Sequence, residues 1–131
     1  MIPNAVRIPA AAASRPPTAL PTLLFVASLG YYPNEDAVLY FCREILSRLR
    51  ALVSSAVRVV IVGGNLSARV RRLSRDGEVV LTGAVPEVAG YYRDADLVIA
   101  PLRAGGGTRI KVLEAFAHRR PVVSTSIGAE A

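Results

Sequence analysis

The 131-residue sequence predicts an α/β fold with a doubly wound parallel sheet. Short apolar runs alternate with helical patterns along the chain, which calls for parallel strands joined by helical crossovers. Glycines punctuate the ends of four of those runs, at Gly30, Gly63-Gly64, Gly83 and Gly105–Gly107. Hydrophobic residues make up 52% of the chain with no tryptophan, a composition suited to Val/Leu/Ile-rich strands buried on both faces.

Residues 1–22 are rich in alanine and proline, without periodicity, and read as a linker or tail. The first strand is predicted at Leu23–Ala27. Asn34 is a candidate N-cap, with Glu35 and Asp36 in the first helical turn. Val38, Phe41, Ile45, Leu49 and Leu52 then recur at helical spacing. A strand at Val57–Val62 follows, then a short polar helix around Ser67–Arg75 and a strand at Glu78–Thr82. Val85–Arg93 reads as a loop and short helix, Ala95–Pro101 as the fourth strand. Thr108–Ala117 reads as a helix and Pro121–Thr125 as the fifth strand.

Composition excludes several classes. No apolar run approaches the roughly 20 residues that span a bilayer, and the proline-broken N-terminus is not a signal peptide. The single cysteine, Cys42, rules out an internal disulfide and fits a reducing compartment, so a cytoplasmic location is expected. Cys42 lies beside the helical stripe without a base or metal partner near in sequence, which marks it as core rather than nucleophile. The net charge is +6, with 16 Lys+Arg against 10 Asp+Glu. The arginines are scattered and no aromatics interleave with them, so no nucleic-acid partner is expected. Neither a dinucleotide fingerprint nor a P-loop occurs, and no metal-ligand spacing or catalytic triad pattern is present.

In such sheets ligands bind beyond the carboxyl ends of the strands, and the segment Gly105-Gly106-Gly107-Thr108-Arg109-Ile110-Lys111 lies there. Glycines open unusual backbone geometry, and Thr108 is a natural N-cap. Arg109 and Lys111 in a first helical turn oppose the helix dipole, a conflict that an anion at the loop removes. The glycines alone fit a steric turn equally well. Glu114 lies about 40° around the helix from Ile110, at the flank of the stripe formed with Leu113 and Ala117. There it either pairs with a surface cation or accepts hydrogen bonds from sugar hydroxyls. His118 sits at the helix end, where it commonly meets terminal carbonyls.

The runs FVASLGYYPNEDAV, VIVGGN, LTGAVPEVAGYYRDADLVIAPLRAGGGTRIKVLEAFA and RPVVSTSIGAEA resemble, in order and spacing, the C-terminal donor-binding half of retaining GT-B glycosyltransferases of family 4. IPNAVRIP resembles the end of the interdomain linker of such enzymes. The resemblance implies a Rossmann-like domain over 23–131 that binds a nucleotide-diphosphate sugar as donor substrate, with no cofactor and no metal. It places the diphosphate at Gly105, Gly106, Gly107 and Thr108, with Arg109 and Lys111 stabilising the leaving group. Glu114 matches the second acid of the Glu-x7-Glu motif, which contacts ribose. The base falls at the Gly83-Ala84-Val85-Pro86 loop, and Gly64 is a further donor-binding position.

Departures from the family pattern are specific. The first acid of the motif is Gly106, the frequent Gly-Arg after the first strand is Ala27-Ser28, and the following Lys-Gly is absent. The glycine that ends the helix is Arg119, which costs roughly 1 kcal/mol if the backbone still turns left-handed there. The resemblance also implies a missing N-terminal acceptor-binding domain and a further helix after the last strand. Weak or no activity is expected of this half alone, and the full enzyme is compatible with peripheral membrane association. The alternative is a noncatalytic remnant or subunit that docks onto a separately encoded acceptor domain.

Overall fold

Five strands, β1 (Thr22–Val26), β2 (Arg58–Val62), β3 (Val79–Leu81), β4 (Leu97–Ala100) and β5 (Val122–Ser124), form one parallel sheet in the order β3-β2-β1-β4-β5. The computed structural model describes residues 6–9, 20–107 and 109–130. Of the Pro/Ala-rich segment this leaves 6–9 and 20–22, and Thr22 already belongs to β1. β1 is as long as its predicted run and begins one residue earlier, whereas β2 to β5 are shorter because terminal residues of those runs leave the ladder to enter loops.

Alternation along the strands supplies two cores. Leu23, Phe25, Val59 and Ile61 face one layer, formed by α1 (Tyr32–Tyr40), a π turn (Phe41–Ile45), α2 (Leu46–Leu52) and α3 (Ala68–Arg71). Leu24, Val62 and Val98 face the other, where Tyr92 of α4 (Ala89–Asp94) and Ala115 of α5 (Ile110–Ala117) cover them. Successive side chains of a strand point to opposite faces, so continuous apolar runs are what a sheet covered on both sides requires.

Two helix expectations are corrected. Tyr31 occupies the N-cap position of α1, and Pro33 lies in its first turn, where a fixed φ and a missing N–H are tolerated. Asn34 is therefore inside the helix, buried, and its Nδ2 donates to the Ser28 carbonyl at 2.9 Å. The expected stripe holds through Val38, Phe41, Ile45 and Leu49, which pack on the first core, and fails at its last member. The π turn makes the next deeply buried side chain Leu46, five positions after Phe41, and Leu52 ends 84% exposed. Cys42 is half-buried against the first core, and burial pushes its thiol up to about 11, as suits a packing residue.

Helix ends follow local chemistry. The Ser67 hydroxyl caps α3 by accepting from Val70 N at 3.2 Å, and a 3₁₀ turn, Arg72–Asp76, continues it. A short helix not foreseen, α6 (Ser126–Ala129), starts at Thr125, whose Oγ1 accepts from Gly128 N at 3.0 Å. Arg119 does take a left-handed backbone, φ 57°. There Arg119 N donates to Phe116 O at 2.9 Å and Arg120 N to Ala115 O at 2.8 Å. That is the Schellman pairing usually made with glycine.

Candidate functional site

The strand order reverses between β1 and β4, and the loops beyond their carboxyl ends enclose a cleft of ≈ 510 Å³. One wall is Gly63-Gly64 with Ala84, Val85 and Val88; the other is Gly106, Arg109, Lys111 and Glu114. The floor is the end of β1. A volume of this size suits a small-molecule ligand. Among the described residues no helix is long and apolar enough to cross a membrane, and no group of three His, Cys, Asp or Glu side chains meets as for a metal ion.

Backbone bonds hold the first wall in place. Leu29 N donates to Gly64 O at 3.1 Å and Gly63 N to Gly83 O at 3.2 Å, which ties the loops after β1, β2 and β3 together. A Cβ at Gly63 would lie 1.7 Å from the Ala27 carbonyl oxygen, so the approach of these loops is open only to glycine. On the other side, Arg103 forks onto Asp36 at 2.7 and 3.0 Å and lies over the Tyr40 ring, 4.4 Å from its centroid. This pair fastens the β4–α5 loop to α1 and holds the Asp36 carboxyl below the usual range, the Arg103 hydrogen bond being the main cause. Gly105, at φ +102°, packs beside Pro33; a Cβ there would come within 3.1 Å of the proline ring.

The two cations expected in one helical turn have different positions. α5 begins at Ile110, and Arg109 is its N-cap residue, with φ −84° and ψ 77°. Thr108, expected in that role, lies outside the described residues. Arg109 is 9% exposed, and its guanidinium is turned back onto carbonyls. Nη2 donates to Gly105 O and Ile127 O, both at 3.1 Å, Nη1 donates to Gly106 O at 3.3 Å, and Nε donates to Ile127 O at 3.3 Å. The conflict with the helix dipole is thus answered for Arg109 by three carbonyl dipoles rather than by an anion. The side chain pins the glycine loop to α6.

Lys111 differs. It is half-buried with its Nζ 5.5 Å from the Phe25 ring centroid, and the described residues give it no ion pair. Burial, reinforced by the Arg109 charge and opposed by Glu114, holds its ammonium below the ordinary lysine range. An incoming anion reverses that penalty, so Lys111 is the cation of this cleft with charge to offer.

Glu114, one turn further along α5, lines the cleft and accepts from the Tyr92 hydroxyl at 2.9 Å. The structure therefore brings together Gly64, Val85, Gly106, Arg109, Lys111 and Glu114, whereas Gly105 and Gly107 belong to the loop without lining the cavity. Among the described residues the His118 ring meets no terminal carbonyl; it stacks on Tyr92, 5.1 Å between centroids and 3° between planes. Burial first, then Arg120, lowers its basicity, against Glu114. Ser28, Tyr31 and Asn34 also line the cleft and were not anticipated. Neither was Tyr92, 22 residues from its carboxylate partner, a separation no sequence periodicity links.

A Rossmann-like parallel sheet with a glycine loop, a lysine and an anchored carboxylate at its switch point defines a class of α/β domain whose ligands bind beyond the carboxyl ends of the strands. The family model of glycosyl transferases group 1 matches residues 20–131, and the chain belongs to that family. Among solved structures, TarM superposes with a TM-score of 0.66 at 18% identity over 95% of this chain and 24% of TarM. A TarM variant from S. aureus in complex with fondaparinux, alpha-GlcNAc-glycerol and UDP gives a TM-score of 0.66 at 19% identity, over 95% of this chain and 25% of that one. The chain thus spans about a quarter of the length of these structures, and at such identities the likeness is one of fold. Comparison with curated proteins finds no match.

Proposed function

We propose that this domain is the C-terminal, donor-binding half of a retaining family 4 glycosyltransferase and holds a nucleotide-diphosphate sugar in the β1/β4 cleft. The carrying observation is the cleft in which Lys111 and Glu114 stand one helical turn apart opposite Gly64 and Val85. In this reading the base lies against the Gly64 and Val85 loops and meets mainly backbone groups. Glu114 accepts the ribose hydroxyls. The diphosphate lies at Gly106, with Gly105 and Gly107 shaping the loop around it. Lys111 stabilises the charge that develops on the leaving diphosphate, without a metal, while Arg109 keeps the loop in its binding shape and adds its field. The acceptor is held by a second domain facing this wall.

Membership in a glycosyltransferase family, and the UDP in complex with the structurally similar TarM variant, support this reading. Calorimetric titration with UDP, GDP and ADP tests it: one of them binds, and failure of all three with folded protein removes the site assignment. The exposure of Tyr31, Tyr32 and Ile110 favours a second reading for the isolated chain, a subunit whose cleft wall docks onto a separate acceptor domain. An adjacent reading frame encoding such a domain, and its co-purification with this chain, would support that arrangement.

A further inference from the structure

Tyr92 has no surface of its own in the cleft. It is 0% exposed in α4, beneath the cleft-lining helix α5. Its hydroxyl carries one proton and has two acceptors in range, Glu114 Oε2 at 2.9 Å and the Lys111 carbonyl at 3.4 Å; the carboxylate is the nearer. Desolvation, followed by the charge of Glu114 and this hydrogen bond, raises the phenol far above the ordinary tyrosine range, so it remains a neutral donor. The coplanar His118 ring fixes the plane of the phenol and with it the direction of the hydroxyl. Among the described residues, no other donor reaches the Glu114 carboxylate.

A glutamate on a helix surface samples several rotamers, and ordering one on ligand binding costs free energy. Here Oε2 is anchored in advance from below, which leaves Oε1 and the remaining lone pairs for the cleft. We propose that Tyr92 is a positioning residue that presets Glu114 to accept the two vicinal hydroxyls of the ribose, and so contributes to selection of a ribonucleotide. This inference rests on the donor-site reading above.

The test uses the whole chain, the tightest of UDP, GDP and ADP, its 2′,3′-dideoxy counterpart and inorganic pyrophosphate. Tyr92→Phe keeps the ring, the burial and the His118 stack and removes only the hydroxyl. Its affinity for the nucleoside diphosphate is expected to fall about 3- to 10-fold, the range of one side chain left to be ordered by the ligand. Affinities for the dideoxy compound and pyrophosphate stay unchanged, and adding Tyr92→Phe to Glu114→Ala has no further effect. Weakening of all three ligands alike, or no weakening where Glu114→Ala does weaken, overturns the positioning role alone. Failure of every nucleotide to bind the parent chain overturns the donor site together with it. A measurement on the parent chain needs no folded variant: the buried Tyr92 hydroxyl proton shifts in NMR spectra when the nucleoside diphosphate binds but not when pyrophosphate does. An unmoved proton with nucleotide bound counts against the proposal.

Discussion

Arg109 offers the sharpest separation between holding the site and binding its ligand. Arg109→Met preserves the length and apolar stem of the side chain and removes four donor contacts to the carbonyls of Gly105, Gly106 and Ile127. Hydrogen bonds from a charged donor contribute about 1.5–3 kcal/mol each before compensation. Two terms reduce that sum and one sustains it. Gly105 and Gly106 are exposed, so their carbonyls return to water when the guanidinium leaves. The half-buried Ile127 carbonyl keeps a larger penalty. Relief from burying a guanidinium offsets part of the rest. The net loss is expected near 2 kcal/mol, which for a chain of this size lowers Tm by about 8 °C. Differential scanning calorimetry measures it, and amide hydrogen exchange over residues 103–109 locates it. Arg109→Lys recovers at most one acceptor, because an ammonium lacks the planar fork, and falls near the methionine variant. An unchanged Tm together with unchanged exchange in the glycine loop would refute the clasp.

Lys111→Met is expected to leave Tm unchanged or slightly raised, since burial already disfavours the ammonium, yet to weaken nucleoside diphosphate binding roughly 10- to 100-fold by removing a charge-assisted contact; thermal melts and calorimetry check the two halves. The pH dependence follows with a definite sign. The folded pKa of Lys111 is lowered from 10.5, so between the two values the unfolded chain binds more protons and Lys111 makes stability rise with pH. Over the same window the neutral amine loses its hold on a diphosphate, and affinity falls as pH rises; titrations across that range in parent and Lys111→Met separate this loss from other groups. Arg119→Gly relieves a left-handed non-glycine backbone and is expected to stabilise the chain by about 1 kcal/mol, seen in denaturant unfolding with an unchanged m-value.

Strand existence and order of elements were legible because buried parallel strands are written as continuous Val/Ile/Leu runs closed by glycine. Helix interiors were less so. The stripe through Leu52 assumed a constant 3.6-residue turn, and the π turn at Phe41–Ile45 carries no compositional mark, so Leu46 took the buried place and Leu52 did not. Asn34 has the chemistry of a cap, but Pro33 just before it starts the helix earlier and turns the amide inward to Ser28. At the site, Gly64, Val85, Lys111 and Glu114 were reached through glycine punctuation and family resemblance together. Arg109 lines the cleft, but its contacts to loop carbonyls were not foreseen, because charge opposing a helix dipole can be met by such carbonyls as readily as by phosphate. Tyr92 was invisible for a simpler reason: its hydrogen bond to Glu114 is created by packing α4 beneath α5, a tertiary event with no periodic trace.

The decisive property is where a nucleotide binds. Amide hydrogen exchange with and without the tightest of UDP, GDP and ADP locates it directly. Protection is expected in the loops at 63–64 and 84–88 and from residue 105 through the first turns of α5, and not in β3 or α2. Saturating nucleotide that leaves those segments unprotected, or protects a different face of the sheet, would contradict the donor cleft.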